Sequence, residues 1–347
     1  QADDGIRDPL WSRGLGDVYM SQTIMESDGP FYDEMTPGMV FPSPPAVSVD
    51  SGVAASYQSI AGEALPLVLD QRLCNAVTGA SSRLVSPGLL LHLSIGASTV
   101  ATKNVIANLF YRNVRILRQV FIGETIETIT TVASMSDSAP REGKEPRGKV
   151  LLNITTTADG EPVLDYQRCP LIRLRSNKLP GYNDELGENP KLEMETYIDK
   201  SLTTWNLEHL PNPSEIKIGE VVNDPMRDIV TQPSSLIRLT HNVAAVHRDA
   251  EISPYAKPLV YGGHTVALAQ SSLSRVFTGI ASIVGWHTCD HVGPVFEDDL
   301  LSFQHRPLEE VSTENGRFVA IQVKAFTHRN NAEPAEVLDW TPVVFMR

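Results

Sequence analysis

The sequence predicts an α+β fold made of two fused, related units, each with a central helix packed against a sheet. Three observations support this class. Short sequence patterns recur at a nearly constant separation, each half contains a small-residue-rich segment that begins near a glycine, and each half closes with strand-like alternation. Because the separation is close to half of the chain length, it indicates two domains rather than a short-period solenoid.

The repeat consists of three anchors that occur in the same order in both halves. Val163-Leu164-Asp165-Tyr166 near the middle of the chain matches Val337-Leu338-Asp339-Trp340 near its C-terminus. The other two anchors recur almost in the same register: Val120–Ile126 with Val295–Leu301, and Pro87–Leu90 with Gly262–Thr265. The copies have diverged, because Leu239–His247 ends in a histidine that the matching segment Asp70–Asn75 lacks. We therefore predict that the second unit carries the chemistry and the first shapes a binding surface.

The first elements along the chain are short strand-like segments, Gly16–Tyr19 in the first half and Gly219–Val222 in the second. The stretch from this segment to the glycine of the helix is longer in the first half, where it runs from Gly16 to Gly88, than in the second, where it runs from Gly219 to Gly262. We expect the extra residues to include Phe41–Pro45, because its prolines cannot sit within a helix or a central strand.

The central helix and the sheet come next in each half. The segment Gly262–Leu273 is rich in alanine and apolar on most sides, which is typical of a helix surrounded by protein. Arg317–Phe326 alternates in the manner of a strand and places Val319, Ile321, Val323 and Ala325 on one face, and Lys149–Thr157 is its counterpart in the first half. The sequence thus predicts an N-terminal unit over residues 1–175, a polar linker over 176–200 and a C-terminal unit over 201–347.

The composition favours a soluble cytoplasmic protein and argues against two classes of partner. The formal charge of −13 opposes nucleic-acid binding, and no apolar run approaches the length of a membrane span. Gln1–Gly5 is acidic and polar, unlike a secretory signal, and the three scattered cysteines, Cys74, Cys169 and Cys289, fit a reducing compartment.

A central helix wrapped by an antiparallel sheet, present twice in one chain, resembles the double hotdog fold. The segment Leu239–His247, together with the later Gly262 at the spacing that the family shows, resembles the motif of the MaoC-like, hydratase-2 branch of that fold. In that motif His247 and Gly262 fall on the catalytic histidine and the oxyanion glycine. Asn242, Ala244 and Ala245 replace the usual Asp, Asn and Pro.

These departures resemble a narrower group, the mesaconyl-CoA (2-methylfumaryl-CoA) hydratases. The patches that carry this likeness lie in both halves: Asn104–Tyr111, Val120–Thr125, Leu259–His264, Phe296 with its acidic turn, and Val337–Trp340. The resemblance implies an enzyme that adds water reversibly to an α,β-unsaturated acyl-CoA, converting mesaconyl-CoA to β-methylmalyl-CoA. Broader R-specific enoyl-CoA hydration or 3-hydroxyacyl dehydration, hotdog thioesterase activity, and non-catalytic acyl-CoA binding stay open as alternatives.

The resemblance implies a role for each motif residue. His247 serves as the base, because the Asn242 amide can orient water but cannot accept its proton, and a histidine has a reference pKa of about 6.5. The backbone N–H of Gly262, at the start of a helix, would stabilise the enolate oxygen. As alternatives to these catalytic roles, His247 would be a hydrogen-bonded structural residue, Asn242 a cap or turn residue, and Gly262 a residue that permits close packing or a tight turn.

Coenzyme A is expected as part of the substrate, with no separate cofactor. Its phosphates need cationic contacts, for which Arg248 and Lys257 beside the motif are candidates. His287, Cys289 and His291 would share one face of a strand, but their short spacing opposes chelation of a single metal ion, and we predict no metal site. A homodimer stays open as the assembly.

Overall fold

The computed structural model describes residues 28–139, 143, 146–176, 178–187, 190–199, 201–329 and 332–347. The predicted opening segment Gly16–Tyr19 and the acidic residues Gln1–Gly5 lie outside the described residues. The elements of the first half are β1 (Val40–Phe41), β2 (Val47–Ser48), α1 (Ser51–Ala61), α2 (Pro66–Leu69), α3 (Gln71–Thr78), α4 (Pro87–Ala97), β3 (Val105–Ile116), β4 (Thr125–Asp137), β5 (Arg147–Ala158) and β6 (Glu161–Arg173).

The second half repeats this order with fewer helices before its central helix. Its elements are β7 (Val222–Asn223), β8 (Asp228–Ile229), α5 (Pro233–Leu239), α6 (Gly262–Val276), β9 (Ile280–His291), β10 (Leu300–Thr313), β11 (Gly316–His328) and β12 (Ala335–Met346). The two glycine-containing anchors of the repeat begin α4 and α6. The segment from β1 to α4 is only slightly longer than the segment from β7 to α6, so most of the extra residues of the first half precede β1 in the sequence. The proline-rich segment Phe41–Pro45 runs irregularly from β1 toward β2, and both short strands pair with β4.

The strands of both halves form one antiparallel sheet. Its order among the described residues is β1-β4-β5-β6-β3-β9-β12-β11-β10-β7, with β2 on β4 and β8 on β10. The pairing of β3 with β9, in which Tyr111 lies opposite Cys289, joins the halves. Antiparallel neighbours explain why each half needs only short connections between its long strands. The predicted α+β class, with two fused units and an antiparallel sheet against each central helix, is confirmed.

The central helices are buried as the sequence predicts, because they contact the sheet and each other. Every residue of α4 from Pro87 to Gly96 is buried, and α6 is buried from Gly263 to Leu273. Two polar side chains of α6 donate hydrogen bonds to buried carboxylates: Ser272 Oγ donates to Asp224 at 2.7 Å, and Gln270 Nε2 donates to Glu63 at 2.9 Å.

The strand predicted over Arg317–Phe326 is β11, but it is buried on both faces at its N-terminal end. Val319, Ile321, Val323 and Ala325 are buried as expected, and Phe318 and Ala320 are buried as well. Phe318 packs on Phe345, which in turn contacts Trp205 from the segment before β7. The region predicted as a linker also contains buried side chains, Met194 and Tyr197, so the boundaries at 176 and 200 stay a prediction.

Candidate active site

A cavity of about 190 Å³ lies between the two halves, and we call it the inter-unit cavity. It draws its polar lining from both halves: Thr99, Thr102, Asn108, Tyr111 and Arg168 from the first, and Asn242, His247, Tyr261, Gly262, Thr265 and His291 from the second. Apolar side chains fill most of the remaining wall, as in other small-molecule sites. The three residues predicted to act in catalysis, His247, Asn242 and Gly262, therefore face one space.

The loop that carries Asn242 is held against the central helix of the first half. A Cβ atom at Gly96 would lie 1.8 Å from the carbonyl oxygen of Thr240, so only glycine allows this approach. The backbone N–H of Val243 donates to Thr99 Oγ1 at 2.9 Å, which attaches the loop to the residues that follow α4. The first half thus positions the segment of the second half that carries Asn242.

Asn242 is buried, and the oxygen of its side-chain amide is hydrogen-bonded to the protein whereas the nitrogen is free to bind a ligand. Oδ1 accepts a hydrogen bond from the Ala244 N–H at 2.9 Å, in the local turn that asparagine favours. This contact assigns the amide oxygen, because the N–H needs an acceptor. Nδ2 has no hydrogen-bond partner within the part of the chain that the structure describes. The group available to a ligand in the cavity is therefore a donor.

His247 follows in a short 3₁₀ turn, Ala245–His247, and its ring is oriented by the backbone. Nδ1 lies 2.8 Å from the carbonyl oxygen of Leu259, which can only accept, so Nδ1 carries the proton and Nε2 carries a lone pair. Burial lowers the pKa of His247 to about 4, with the charges of Arg248 and Arg168 acting in the same direction. The imidazole is therefore neutral near pH 7, as a base must be.

Gly262 begins α6, with Tyr261 as its N-cap residue. The first N–H groups of a helix have no acceptor within the helix, so the Gly262 N–H is available to a ligand. A Cβ at this position would lie 2.5 Å from Cε1 of His291, whose ring packs over the glycine. The glycine is thus required by packing, and its N–H at the positive end of a 15-residue helix is suited to bind an oxyanion.

Sequence reasoning missed Arg168, Tyr111 and His291 as cavity residues. His291 Nε2 is buried without a hydrogen-bond partner among the described residues, and burial lowers the pKa of this histidine to about 4. The rings of Tyr111 and His291 pack edge-to-face, with their centroids 5.9 Å apart. The signal for Arg168 was present in β6, where Leu164, Tyr166 and Arg168 alternate inward and place a cation at a core position.

The cations predicted to contact coenzyme A lie near the cavity but have protein partners. Arg248 donates from Nε to the Asn242 carbonyl oxygen at 2.9 Å and so holds the loop that carries Asn242. Lys257 Nζ lies 3.8 Å from the centroid of the Phe296 ring. Phe296 also contacts Tyr255, a half-exposed residue of the cavity wall. Whether either cation binds coenzyme A stays a prediction.

The histidines and cysteine of β9 point to different surroundings. Cys289 is buried opposite Trp340 of β12, His291 packs over Gly262, and His287 is half-buried and outside the cavity wall. Within the described ranges, no group of three or more His, Cys, Asp or Glu side chains could hold a metal ion.

The chain was compared with protein-family models, curated proteins and solved structures. No family model matches it. It is 24% identical over 317 residues to the mesaconyl-CoA hydratase of Cereibacter sphaeroides, covering 88% of this chain and 91% of that protein. It is 23% identical to the β-methylmalyl-CoA dehydratase of Chloroflexus aurantiacus, covering 92% of this chain and 97% of that protein.

A solved structure is more similar still. A conserved hypothetical protein from Mycobacterium tuberculosis with a double hotdog fold is 31% identical, with a TM-score of 0.85, covering 92% of this chain and 99% of that one. The chain belongs to the double hotdog family. The resemblance to the MaoC-like branch and its mesaconyl-CoA hydratases is confirmed. None of the helices in the described part of this double hotdog protein has the length and apolar character of a membrane span.

Proposed function

We propose that the protein is an acyl-CoA hydratase that adds water reversibly to mesaconyl-CoA and forms β-methylmalyl-CoA. The observation that carries the proposal is the pairing of a proton acceptor with a hydrogen-bond donor in one cavity. His247 Nε2 offers a lone pair, Asn242 Nδ2 offers its hydrogens, and both residues line the inter-unit cavity beside the N-terminus of α6. The names of the two curated relatives agree with this chemistry.

The two side chains hold the water in the first step. Asn242 Nδ2 donates to the water oxygen, and the water donates to His247 Nε2. His247 takes this proton while the oxygen bonds to Cβ, and the electrons of the Cα–Cβ double bond move toward the thioester oxygen. A neutral histidine can accept the proton at pH 7, whereas the Asn242 amide cannot.

The second step restores the thioester. The enolate oxygen accepts a hydrogen bond from the Gly262 N–H, where the dipole of α6 also favours negative charge. The His247 imidazolium then donates its proton to Cα, and the electrons return to re-form the thioester carbonyl. One hydrogen and one hydroxyl have been added, and His247 is again neutral.

The substrate carries coenzyme A, so no separate cofactor enters these steps. Arg248 and Lys257 are the predicted contacts of its phosphates, because they lie beside the cavity residues Asn242 and Tyr255. A homodimer and a cytoplasmic location also stay predictions.

The test follows the absorbance of the enoyl-thioester with mesaconyl-CoA and with crotonyl-CoA, while a thiol reagent measures free coenzyme A. Hydration removes the enoyl absorbance and leaves the thioester intact. Release of thiol at the same rate would instead identify a thioesterase. Turnover of crotonyl-CoA alone would favour a broader R-specific enoyl-CoA hydratase or 3-hydroxyacyl dehydratase.

A non-catalytic acyl-CoA-binding protein is a second candidate, because Asn242 replaces the aspartate that the hydratase-2 motif carries. Calorimetric titration with saturated acyl-CoA separates the two. Tight binding without turnover of any short enoyl-CoA would favour the binding protein over the hydratase.

A further inference from the structure

Arg168 is a buried cation that has no anionic partner among the described residues. It is 3% exposed, and its Nη2 donates to the Ser98 carbonyl oxygen at 3.0 Å and to Thr102 Oγ1 at 2.8 Å. Nε is buried and has no partner in the described ranges, and none of the carboxylates there lies within ion-pair distance of the guanidinium. The neutral groups that hold Arg168 therefore orient its charge without balancing it.

Arg112 is a second buried arginine of the same sheet, and its charge is balanced by a carboxylate of the protein. It is 4% exposed, and Nη2 lies 2.7 Å from Asp290 Oδ1. A buried charge that lacks such a partner destabilises the free protein unless a ligand or water compensates it. The contrast between the two arginines indicates that the partner of Arg168 arrives from outside the chain.

The guanidinium lies where an acyl group would bind. Arg168 lines the inter-unit cavity together with His247 and Asn242, and in the sheet it lies opposite Tyr111, another cavity residue. The charge of Arg168 also contributes to the lowered pKa of His247, so the two groups are within electrostatic reach. A negative group held by Arg168 would thus lie close to the water that His247 activates.

We propose that Arg168 binds the free carboxylate of a dicarboxylic acyl group and thereby selects the substrate. This inference rests on the proposed hydration of an acyl-CoA and deepens it. In mesaconyl-CoA the free carboxylate is bonded to Cβ, the carbon that the water oxygen attacks. A planar guanidinium can bind both carboxylate oxygens, which fixes Cβ relative to the water.

The same contact assists the chemistry. An unneutralised carboxylate on Cβ would repel the negative charge that develops on the water oxygen as His247 removes its proton. The Arg168 charge offsets that repulsion in a buried site, where electrostatic interactions are stronger than in water. An acyl group that ends in a methyl would leave the buried Arg168 unpaired, so the site disfavours it.

The test uses ligands that cannot be hydrated, so it does not depend on turnover. Succinyl-CoA and butyryl-CoA are saturated, have the same acyl chain length and differ by a carboxylate in place of a methyl. Calorimetry on the wild-type protein should show that succinyl-CoA binds at least about 10-fold tighter. Arg168→Met should abolish this preference, and Arg168→Lys should keep part of it, because an ammonium retains the charge without the planar fork.

Arg115→Met provides the matched control. Arg115 lies on β3, and its exposed guanidinium pairs with Asp165 outside the cavity. This variant should keep the wild-type ratio of the two dissociation constants. Thermal melting of each variant reports whether the fold is intact.

The inference is overturned if the wild-type protein binds the two ligands equally, which requires no variant to fold. It is also overturned if Arg168→Met weakens both ligands by the same factor, since a structural role would do that. Failure of the proposed function looks different. A protein that prefers succinyl-CoA but hydrates no enoyl-CoA would retain the carboxylate subsite and lose the hydratase assignment.

Discussion

Replacement of Gly96 by alanine should damage activity from a position that contacts no substrate. The new Cβ would lie 1.8 Å from the Thr240 carbonyl oxygen, 2.7 Å from the carbonyl carbon and 3.0 Å from the Thr240 Cβ. Ordinary contact begins at 3.4 Å, so the oxygen must move by more than an ångström. Because Asn242 follows Thr240 closely in the same loop, this displacement moves Asn242 relative to Gly262.

The expected loss follows from that distance. A misplacement of about 1 Å in a catalytic group lowers turnover by roughly 100-fold, and overpacking of a core lowers the free energy of unfolding by about 1–3 kcal/mol. We therefore expect kcat/KM for mesaconyl-CoA to fall by about two orders of magnitude while the protein still folds. Initial rates and thermal melting measure the two effects separately.

Gly52→Ala is the matched control for this variant. Gly52 lies in the first turn of α1, and its Cβ would meet only the Asp50 side chain, at 3.2 Å. The control should keep its activity, because the crowded atom belongs to the exposed Asp50 side chain and Gly52 lies outside the cavity wall. A folded Gly96→Ala enzyme with wild-type kcat/KM would refute the idea that this close contact positions the loop.

Three further predictions concern titration and Asn242. The value of kcat/KM should stay constant as the pH falls from 8 toward 5, because burial lowers the pKa of His247 to about 4. An inflection near pH 6.5 would show that the His247 pKa is not lowered by its surroundings. The free energy of unfolding should fall as the pH drops below about 6.5, because the histidines bind protons in the unfolded state but stay neutral in the folded state. Each such histidine lowers the free energy of unfolding by up to about 1.4 kcal/mol per pH unit. The histidines that burial affects in this way have lowered pKa values of about 3 for His92 and about 4 for His247, His264, His291 and His305. Urea denaturation at pH 7.5 and 5.5 measures this loss, and equal stabilities would argue against neutral buried imidazoles. Asn242→Asp should keep the fold and some hydration, with an added inflection in the pH profile from a second titrating group beside His247. A profile identical to that of the wild type would show that residue 242 does not contact the water.

The fold was predictable because short sequence patterns mark its main elements and occur in both halves. The anchors at Pro87 and Gly262 each begin a central helix, and the closing anchors lie in β6 and β12. The motif from Leu239 to Gly262 likewise placed three residues in one cavity, although their catalytic roles stay predictions.

Arg168 and Tyr111 were not predictable from the local pattern of the motif, because they come from the other half. Arg168 and Tyr111 reach the second-half motif only through the packing of the two units and the pairing of β3 with β9. β3 and β9 are far apart in the chain and share no hairpin turn, so no short-range spacing fixes their register. The alternation of Leu164, Tyr166 and Arg168 indicates that Arg168 is buried, but it does not predict which residues surround the guanidinium.

In the proposed mechanism His247 is the base, and Asn242 holds the water that His247 deprotonates. The most direct measurement is kcat for mesaconyl-CoA hydration by His247→Ala and Asn242→Ala, with His209→Ala, an exposed histidine outside the cavity wall, as control. We expect a loss of about 10³-fold or more for His247→Ala, about 10²-fold for Asn242→Ala and none for the control. A folded His247→Ala enzyme with wild-type turnover would show that His247 is not the base.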